Sequence, residues 1–373
     1  MVGGGLPPFA HGEVSGGAVR VSTGDTATVR ARAGAVQKGM CHGVHRRRDR
    51  VGLVRLGVLD VGSNTVHLVV VDMAPGGPPT PMSNWKTPMR LVEYLNKEGA
   101  ITNKGVKKLT KGVGLAAEMA DKFNCDEMLP FATSALRSAT NSDEVLASVE
   151  ADTGVRLRIL SGDAEAQLTF LAVRRWFGWS AGRICDLDIG GGSLEMSIGV
   201  NEMPDVALSV DLGAGRLTHD WFDNDPPKKK EIKALAAHID DTLEKPIKQL
   251  REAGPVDLAV GTSKTFRMLA RLTGAAPSSA GPRVRRVLTQ PGVRQLTSFI
   301  SRMSSADRAE LEGVSSDRSH QIVAGALVAE AAMRHLGIEQ LELCPWALRE
   351  GVILRRADAE DAASDTAVDI DFD

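Results

Sequence analysis

Runs of β-branched and other apolar residues predict two β-hairpins at separate places in the chain. The first hairpin pairs residues 56–61 with 66–72, and the second pairs 183–189 with 194–200. In both cases a short turn rich in Gly and Ser divides two apolar runs, which is the pattern of a tight hairpin. The chain therefore contains one strand–turn–strand unit twice.

Mixed helical and strand patterns follow each hairpin. Further strands are predicted at 127–132, 155–160, 256–260 and 340–343. Helices are predicted at 102–123, 134–150, 161–174, 229–253, 264–272 and 347–357, with mostly helical sequence at 290–336 and an exposed loop at 274–292. This order predicts an α/β fold of two similar domains that face each other and offer their hairpin turns to a shared cleft.

The chain divides into two predicted domains and two terminal segments. We expect domain I at 54–178 and domain II at 179–357, with the last helix packing back on domain I. Residues 1–53 are Gly-rich, contain a basic run near their end and show no helical or strand periodicity. We therefore expect either a disordered arm or a translation start assigned upstream of the true one. A transit peptide is disfavoured because the segment is not amphipathic. The basic run could be a nucleic-acid patch, but a solvated disordered arm is the favoured interpretation. The acidic tail 358–373 is expected to be frayed.

The amino-acid composition limits the classes of molecule that the protein is expected to bind. The 373 residues are 43% hydrophobic and 25% charged, with a net charge of -2, which excludes a basic face covering the whole protein. Aromatic residues are only 4%, which argues against stacking on bases, and no apolar run reaches the ~18 residues of a membrane span. The four Cys residues are far apart and form neither a disulfide framework nor a zinc pattern. We expect a cytoplasmic protein that binds neither nucleic acid nor membrane.

Each hairpin turn is suited to bind an anion. The turns consist of Gly62, Ser63 and Asn64, and of Gly190, Gly191, Gly192 and Ser193. Successive backbone N–H groups in such turns point into one concavity that accepts phosphate. Asp60 and Asp188 precede the turns at the same offset, where a carboxylate would hold a divalent cation against phosphate oxygens. Gly-rich turns also occur in hairpins that bind nothing. Two copies, each with an Asp at the same offset, favour the functional interpretation over the structural one.

Two further residues are candidates for chemistry. Arg137 follows a predicted strand and could bind a phosphate oxygen bidentately; the alternative is a surface arginine in the first turn of a helix. Glu165 stands in the first turn of the helix that begins after Ser161. It is either an ordinary capping acid or a general base at the cleft.

Five segments resemble the exopolyphosphatase / guanosine pentaphosphate phosphohydrolase (Ppx/GppA) family. They are VLDVGSNTVHLVVVD, FATSALRSATN, ILSGDAEAQLTFLAV, LDIGGGSLEMSIG and ALREGVIL. The match keeps the family's order from about Val54 to Arg356 and is nearest to short, two-domain exopolyphosphatases of actinobacteria. The resemblance implies two actin-like, ribonuclease H-like domains of the sugar kinase/Hsp70/actin ATPase superfamily facing a shared cleft, and a homodimer.

The resemblance also implies roles for individual residues. By this resemblance the two turns are phosphate-binding loops. Glu165 is the catalytic base, and Arg137 is a residue that faces the phosphates. The implied ligands of Mg²⁺, with Mn²⁺ as the alternative metal, are Asp60, Asp188 and Glu195. Members of the family often have Glu-Glu-Ala-Arg where this chain has residues 164–167, Ala-Glu-Ala-Gln, so only Glu165 remains to act as base.

Residues 261–263 correspond to the loop that contacts adenosine in the ATPases of this fold. Lys264 replaces the small residue that usually follows, so it would crowd a purine and is expected to bind phosphate instead. This departure argues against an ATP-dependent kinase.

The expected activity is Mg²⁺-dependent hydrolysis of the terminal phosphates of inorganic polyphosphate, with release of orthophosphate. Larger relatives have extra C-terminal domains that this chain does not resemble, so short chains are the expected substrates. The alternative is removal of the 5′ γ-phosphate of guanosine pentaphosphate (pppGpp) by the same loops. A third hypothesis is a polyphosphate-binding protein without catalytic activity. The presence of Glu165 argues against this hypothesis. A transcriptional regulator would need a helix-turn-helix segment, which residues 1–50 do not supply.

Overall fold

The computed structural model describes residues 53–74 and 77–363. Nearly all of the predicted N-terminal extension 1–53 lies outside the described residues, as does the tail after Ala363. Within the described ranges, no helix is long and apolar enough to cross a membrane.

A five-stranded mixed sheet forms the first half of the fold. Its elements are, in chain order, β1 (Val54–Val61), β2 (Thr65–Met73), β3 (Thr80–Pro88), α1 (Asn103–Lys122), β4 (Glu127–Ala132), α2 (Ser134–Arg137), α3 (Ser142–Thr153), β5 (Arg158–Ile159) and α4 (Gly162–Phe177). The strand order is β3-β2-β1-β4-β5. The pairs β1–β2 and β2–β3 are antiparallel, whereas β4 is parallel to both β1 and β5.

A six-stranded mixed sheet forms the second half. Its elements are β6 (Ile184–Ile189), β7 (Leu194–Gly199), β8 (Val206–Val210), α5 (Ala214–Trp221), α6 (Lys229–Glu252), β9 (Leu258–Gly261), α7 (Lys264–Leu272), β10 (Val287–Thr289), α8 (Gln290–Ile300), α9 (Ser305–Ala309), α10 (Ile322–Leu336), β11 (Gln340–Leu343) and α11 (Leu348–Ala363). The strand order is β10-β11-β9-β6-β7-β8.

The two halves repeat one topology. Read from its far edge, the second sheet runs β8-β7-β6-β9-β11, which corresponds strand for strand to β3-β2-β1-β4-β5 of the first sheet. Strand β10 is an addition beside β11. Both predicted hairpins, β1–β2 and β6–β7, are present with continuous antiparallel register. The structure therefore confirms the strand–turn–strand repeat and the α/β fold that were predicted from the sequence, and it shows two related sheets.

Helices α4 and α11 pack against each other where the two halves meet. Helix α4 follows the first sheet but packs against β7 and β8 of the second, whereas α11 follows the second sheet and packs against β1 of the first. Val352 and Ile353 of α11 share a buried cluster with Leu56 and Val58. Helix α11 therefore contacts elements of both halves, and the predicted domain boundary near residue 178 stays a prediction.

Gly351 allows α4 and α11 to approach closely. A Cβ at this position would overlap the backbone carbonyl oxygen of Leu168 and lie 2.6 Å from its carbonyl carbon. Because the obstacle is backbone inside a helix, it has no rotamer with which to move away. A side chain at residue 351 must push the two helices apart.

We expect Gly351→Ala to lower the free energy of unfolding by about 1–3 kcal/mol, the usual cost of overpacking a filled contact. Urea unfolding followed by circular dichroism measures this change. Gly114→Ala is the matched control, because its Cβ would meet only Thr153 Cγ2, at 3.7 Å, inside α1. The control should be neutral or stabilising by up to about 1 kcal/mol. Equal stability of the two variants would contradict a close crossing.

Several sequence predictions need correction. The predicted helix 134–150 is two helices, α2 and α3, and the predicted strand 155–160 pairs only at Arg158–Ile159. The predicted loop 274–292 contains strand β10. Residues 358–363 are helical rather than frayed, and Asp358 forms an ion pair with Arg175 at 2.7 Å.

Three elements were not predicted. Strand β3 is mostly exposed and polar, so it has no apolar run to mark it. Strand β8 is a short partly buried edge strand, and α5 has eight residues. All three depend on pairing or packing with distant segments, which a local pattern does not register.

Candidate active site

The two hairpin turns have the same internal geometry. In the first turn the Gly62 N–H donates to the Thr65 carbonyl at 3.0 Å, and in the second the Gly190 N–H donates to the Ser193 carbonyl at 2.9 Å. Each bond joins residues three apart and closes its turn. The matched sequences therefore fold into matched loops, here called loop 1 (62–64) and loop 2 (190–193).

Loop 1 and loop 2 meet face to face. A Cβ built on Gly191 would lie 2.8 Å from Ser63 Cβ and would overlap the Asn64 side chain. Gly192 approaches Ser134 in the same way, with a built Cβ 2.6 Å from its hydroxyl oxygen. Glycine is therefore needed at both positions, because a side chain would force the loops apart.

Arg137 and Glu165 form an ion pair beside the loops. Helix α2 carries Arg137, whose Nη1 also donates to the Leu160 carbonyl at 2.8 Å. Glu165 lies in the first turn of α4, behind the Ser161 N-cap, whose hydroxyl accepts from the Ala164 N–H at 3.1 Å. The carboxylate is 6% exposed, so it is not an ordinary solvent-facing capping acid.

Four carboxyl groups are concentrated in this region. Burial raises the pKa of Asp60 and of Asp188 above the ordinary aspartate value. Burial, followed by the negative charge of Asp188, raises the pKa of Glu195 to about 7. Burial and the charge of Glu195 raise the pKa of Glu165 well above its usual value, while Arg137 opposes the shift. A cation placed among these groups would lower all four pKa values.

Each of the three predicted metal ligands has a protein partner. Asp60 lies 3.5 Å from Arg349 Nη1, Asp188 accepts from the Thr262 hydroxyl at 2.6 Å, and Glu195 accepts from the Ser209 hydroxyl at 2.8 Å. In residues 53–74 and 77–363, no three His, Cys, Asp or Glu side chains are arranged as a ready-made metal site.

Lys264 occupies a different position from the loop residues. It begins α7 after the Ser263 N-cap, and its Nζ lies 3.5 Å from Asp317 Oδ1. Burial lowers the pKa of the Lys264 ammonium, and the charge of Arg318 adds to this effect. Its predicted contact with phosphate stays a prediction.

Sequence reasoning missed several groups at this site. Arg349 contacts both Asp60 and His67 Nδ1, and thereby joins α11 to the first hairpin. Arg318 lies close enough to lower the pKa of both Asp60 and Asp188. Arg349 belongs to the segment ALREGVIL, but no local pattern there indicates which carboxylate it reaches.

Comparison with known proteins identifies close relatives. Residues 69–360 match the sequence profile of the Ppx/GppA phosphatase family. The chain is 61% identical over 307 residues to Exopolyphosphatase 1 of Mycobacterium tuberculosis, covering 82% of this chain and 89% of the relative. It is 60% identical over 307 residues to Exopolyphosphatase 1 of Mycobacterium leprae, covering 82% of this chain and 91% of that relative.

A solved structure has the same architecture. The crystal structure of an exopolyphosphatase from Cytophaga hutchinsonii superposes with a TM-score of 0.74 at 22% identity, covering 82% of this chain and 98% of that chain. This likeness concerns the fold alone and agrees with the α/β class expected from the sequence.

Proposed function

Because the chain belongs to the Ppx/GppA phosphatase family, we propose that it is an exopolyphosphatase, which hydrolyses the terminal phosphoanhydride bond of inorganic polyphosphate and releases orthophosphate. The observation that carries the proposal is the contact between loop 1 and loop 2 beside a buried Glu165. Relatives that are 61% identical and named exopolyphosphatase support the choice of polyphosphate as substrate.

The loops supply the binding part of the reaction. Backbone N–H groups of loop 1 and loop 2 bind the terminal phosphate oxygens from opposite sides. Phosphoryl transfer depends mainly on such positioning and charge stabilisation. Arg137 lies within reach of this space and adds a guanidinium that binds phosphate with directed hydrogen bonds.

Glu165 supplies the base. Burial raises the pKa of Glu165, so its carboxylate accepts a proton from water more readily than an exposed glutamate does. Water attacks the terminal phosphorus, its proton passes to Glu165, and the bond from phosphorus to the bridging oxygen breaks. The shortened chain leaves with the bridging oxygen. Arg137 now pairs with Glu165, and an entering phosphate would compete for this guanidinium and free the base.

The carboxyl groups fit a hard divalent cation, for which we propose Mg²⁺. Phosphatases of this family generally depend on a divalent metal. Asp60, Asp188 and Glu195 offer oxygen donors, and burial raises the pKa of each, so a bound cation would stabilise their ionised forms. Mg²⁺ typically uses one or two carboxylates together with substrate phosphates, so a ready-made cluster of three is not required. When bound, the ion would neutralise charge on the phosphate oxygens.

We expect Asp60→Asn and Asp188→Asn each to raise the Mg²⁺ concentration needed for half-maximal activity, by roughly tenfold or more, because each removes a charged oxygen donor. Metal titration of phosphate release measures this shift, and a thermal melt of each variant accompanies it. Asp152→Asn, on the exposed face of α3, is the control and should change neither quantity. Unchanged metal dependence with a collapsed melting temperature would show a structural role instead.

Parallel phosphate-release assays test the proposed function. Purified protein is given polyphosphate of defined length, guanosine pentaphosphate or ATP, each with Mg²⁺. The proposal predicts the highest kcat/KM on polyphosphate. A higher kcat/KM on guanosine pentaphosphate would establish the alternative activity, and no release from any of the three would overturn both.

A further inference from the structure

An open cavity lies in the second half of the fold, beside the start of α7. It has a volume of about 530 Å³ and is bordered by α7, by the segment 276–286 and by the residues that follow β11. Its walls include Met268, Pro277, Pro282 and Pro345. Prolines restrict the backbone, so much of this wall is fixed in shape.

The charged groups of this cavity are mostly positive. Its lining contains four cationic side chains and one carboxylate, which are Lys264, Arg267, Arg271, Arg286 and Glu312. The side chain of Glu312 is 82% exposed, so water screens its charge, and it pairs with Arg271 alone. A cavity with such an excess of cations favours an anionic ligand.

The Arg267 guanidinium makes no hydrogen bond and no ion pair within the described part of the chain, although the residue is partly buried. Burial lowers its pKa, and Asp188 is near enough to oppose this effect. A guanidinium in this state costs free energy unless a ligand binds it.

Two other arginines that line the cavity do have hydrogen-bond partners. Arg286 donates to the carbonyls of Ala276, Val284, Pro277 and Gly281 at distances of 2.7–2.9 Å, and so holds the cavity wall. Arg271 bonds to Glu312 and to the Ala275 carbonyl at 3.0 Å. Arg267 is therefore the cavity arginine that is available to a ligand.

Arg267 also connects the cavity to the catalytic region. It lines the cavity and interacts electrostatically with Asp188, which stands two residues before loop 2. Lys264, which precedes it on α7 by nearly one turn, lines the same cavity. Lys264 and Arg267 therefore place two cationic side chains at the end of the cavity that is electrostatically coupled to Asp188.

We propose that this cavity is an anion-binding subsite that receives the trailing phosphates of a polyphosphate chain whose terminal phosphate lies between loop 1 and loop 2. The inference rests on the proposed function, because it assumes that the chain end occupies the loops. Inorganic phosphates fit the excess of cations better than an uncharged nucleoside does, since a nucleoside would leave Arg267 without a counter-charge.

Equilibrium binding to a slowly reacting variant tests the subsite. Glu165→Gln serves as the background, with Mg²⁺ present, and titration calorimetry compares a chain of about fifteen phosphates with tripolyphosphate. Adding Arg267→Met should weaken binding of the long chain roughly tenfold, the value of one strong charge-assisted contact. Binding of tripolyphosphate should weaken less than about twofold, because it ends within the loops. Arg156→Met, at an exposed position, is the matched control and should alter neither affinity.

Thermal stability gives an independent readout. Without ligand, the Arg267→Met protein should melt at the same temperature as its parent or higher, because an unpaired charge has been removed. Equal weakening of both ligands would place Arg267 within the loops and overturn the subsite. Unchanged binding of the long chain would also overturn it. Wild-type protein that binds long chains through Arg267 without hydrolysing them would refute the proposed function alone.

Discussion

Replacing Glu165 by Gln should lower kcat for polyphosphate by about 10²–10⁴-fold, the usual contribution of a general base. Gln keeps the shape of the side chain and can still hydrogen bond to Arg137, but it cannot take a proton from water. Polyphosphate binding should stay within about threefold of wild type, because the loops and not Glu165 hold the phosphates. Steady-state kinetics and direct binding separate the two effects.

Asp163→Asn is the matched control for this variant. Asp163 lies in the same first turn of α4, but it is exposed, whereas Glu165 is buried. The control should keep wild-type kcat. A Glu165→Gln protein that retained more than about half of wild-type kcat would show that another group activates the water.

Replacing Gly213 by Ala should lower kcat/KM by roughly 10²–10³-fold, comparable to the loss of a preorganised hydrogen-bond donor. A Cβ at residue 213 would overlap backbone atoms of Gly192 and Ser193, so loop 2 must shift. The shift turns its N–H groups away from the phosphate. Phosphate-release kinetics measure the loss, and a melt measures the accompanying destabilisation.

Gly114→Ala is again the matched control, because it adds the same methyl group at a position where the added Cβ would make only a normal van der Waals contact. It should keep wild-type activity. A Gly213→Ala protein with wild-type kinetics would show that loop 2 tolerates displacement, and that its backbone geometry does not determine the rate.

The phosphate loops and the helix starts were predictable because their signals are local. A turn of Gly and Ser between β-branched runs indicates a hairpin wherever it occurs, and both hairpins are present. The N-caps behave alike: the Thr102 hydroxyl accepts from the Gly105 N–H, as the Ser161 hydroxyl does from the Ala164 N–H. A side chain and a backbone group three residues apart need no tertiary contact to meet.

The groups that surround the loops were not predictable in the same way. Arg349 reaches Asp60 only because α11 returns to the first sheet, and Gly213 touches loop 2 only after β7 and β8 have paired. The absence of a partner for Arg267 is also a property of the folded chain. Such contacts depend on tertiary packing, which the local sequence does not contain.

The central claim is that water attacks the terminal phosphorus of a polyphosphate chain. Hydrolysis of tripolyphosphate in water enriched in ¹⁸O, followed by mass spectrometry of both products, tests it most directly. Attack at the terminal phosphorus places one ¹⁸O atom in the released orthophosphate and none in the remaining pyrophosphate. Label in the pyrophosphate, or no release of orthophosphate, would contradict the claim.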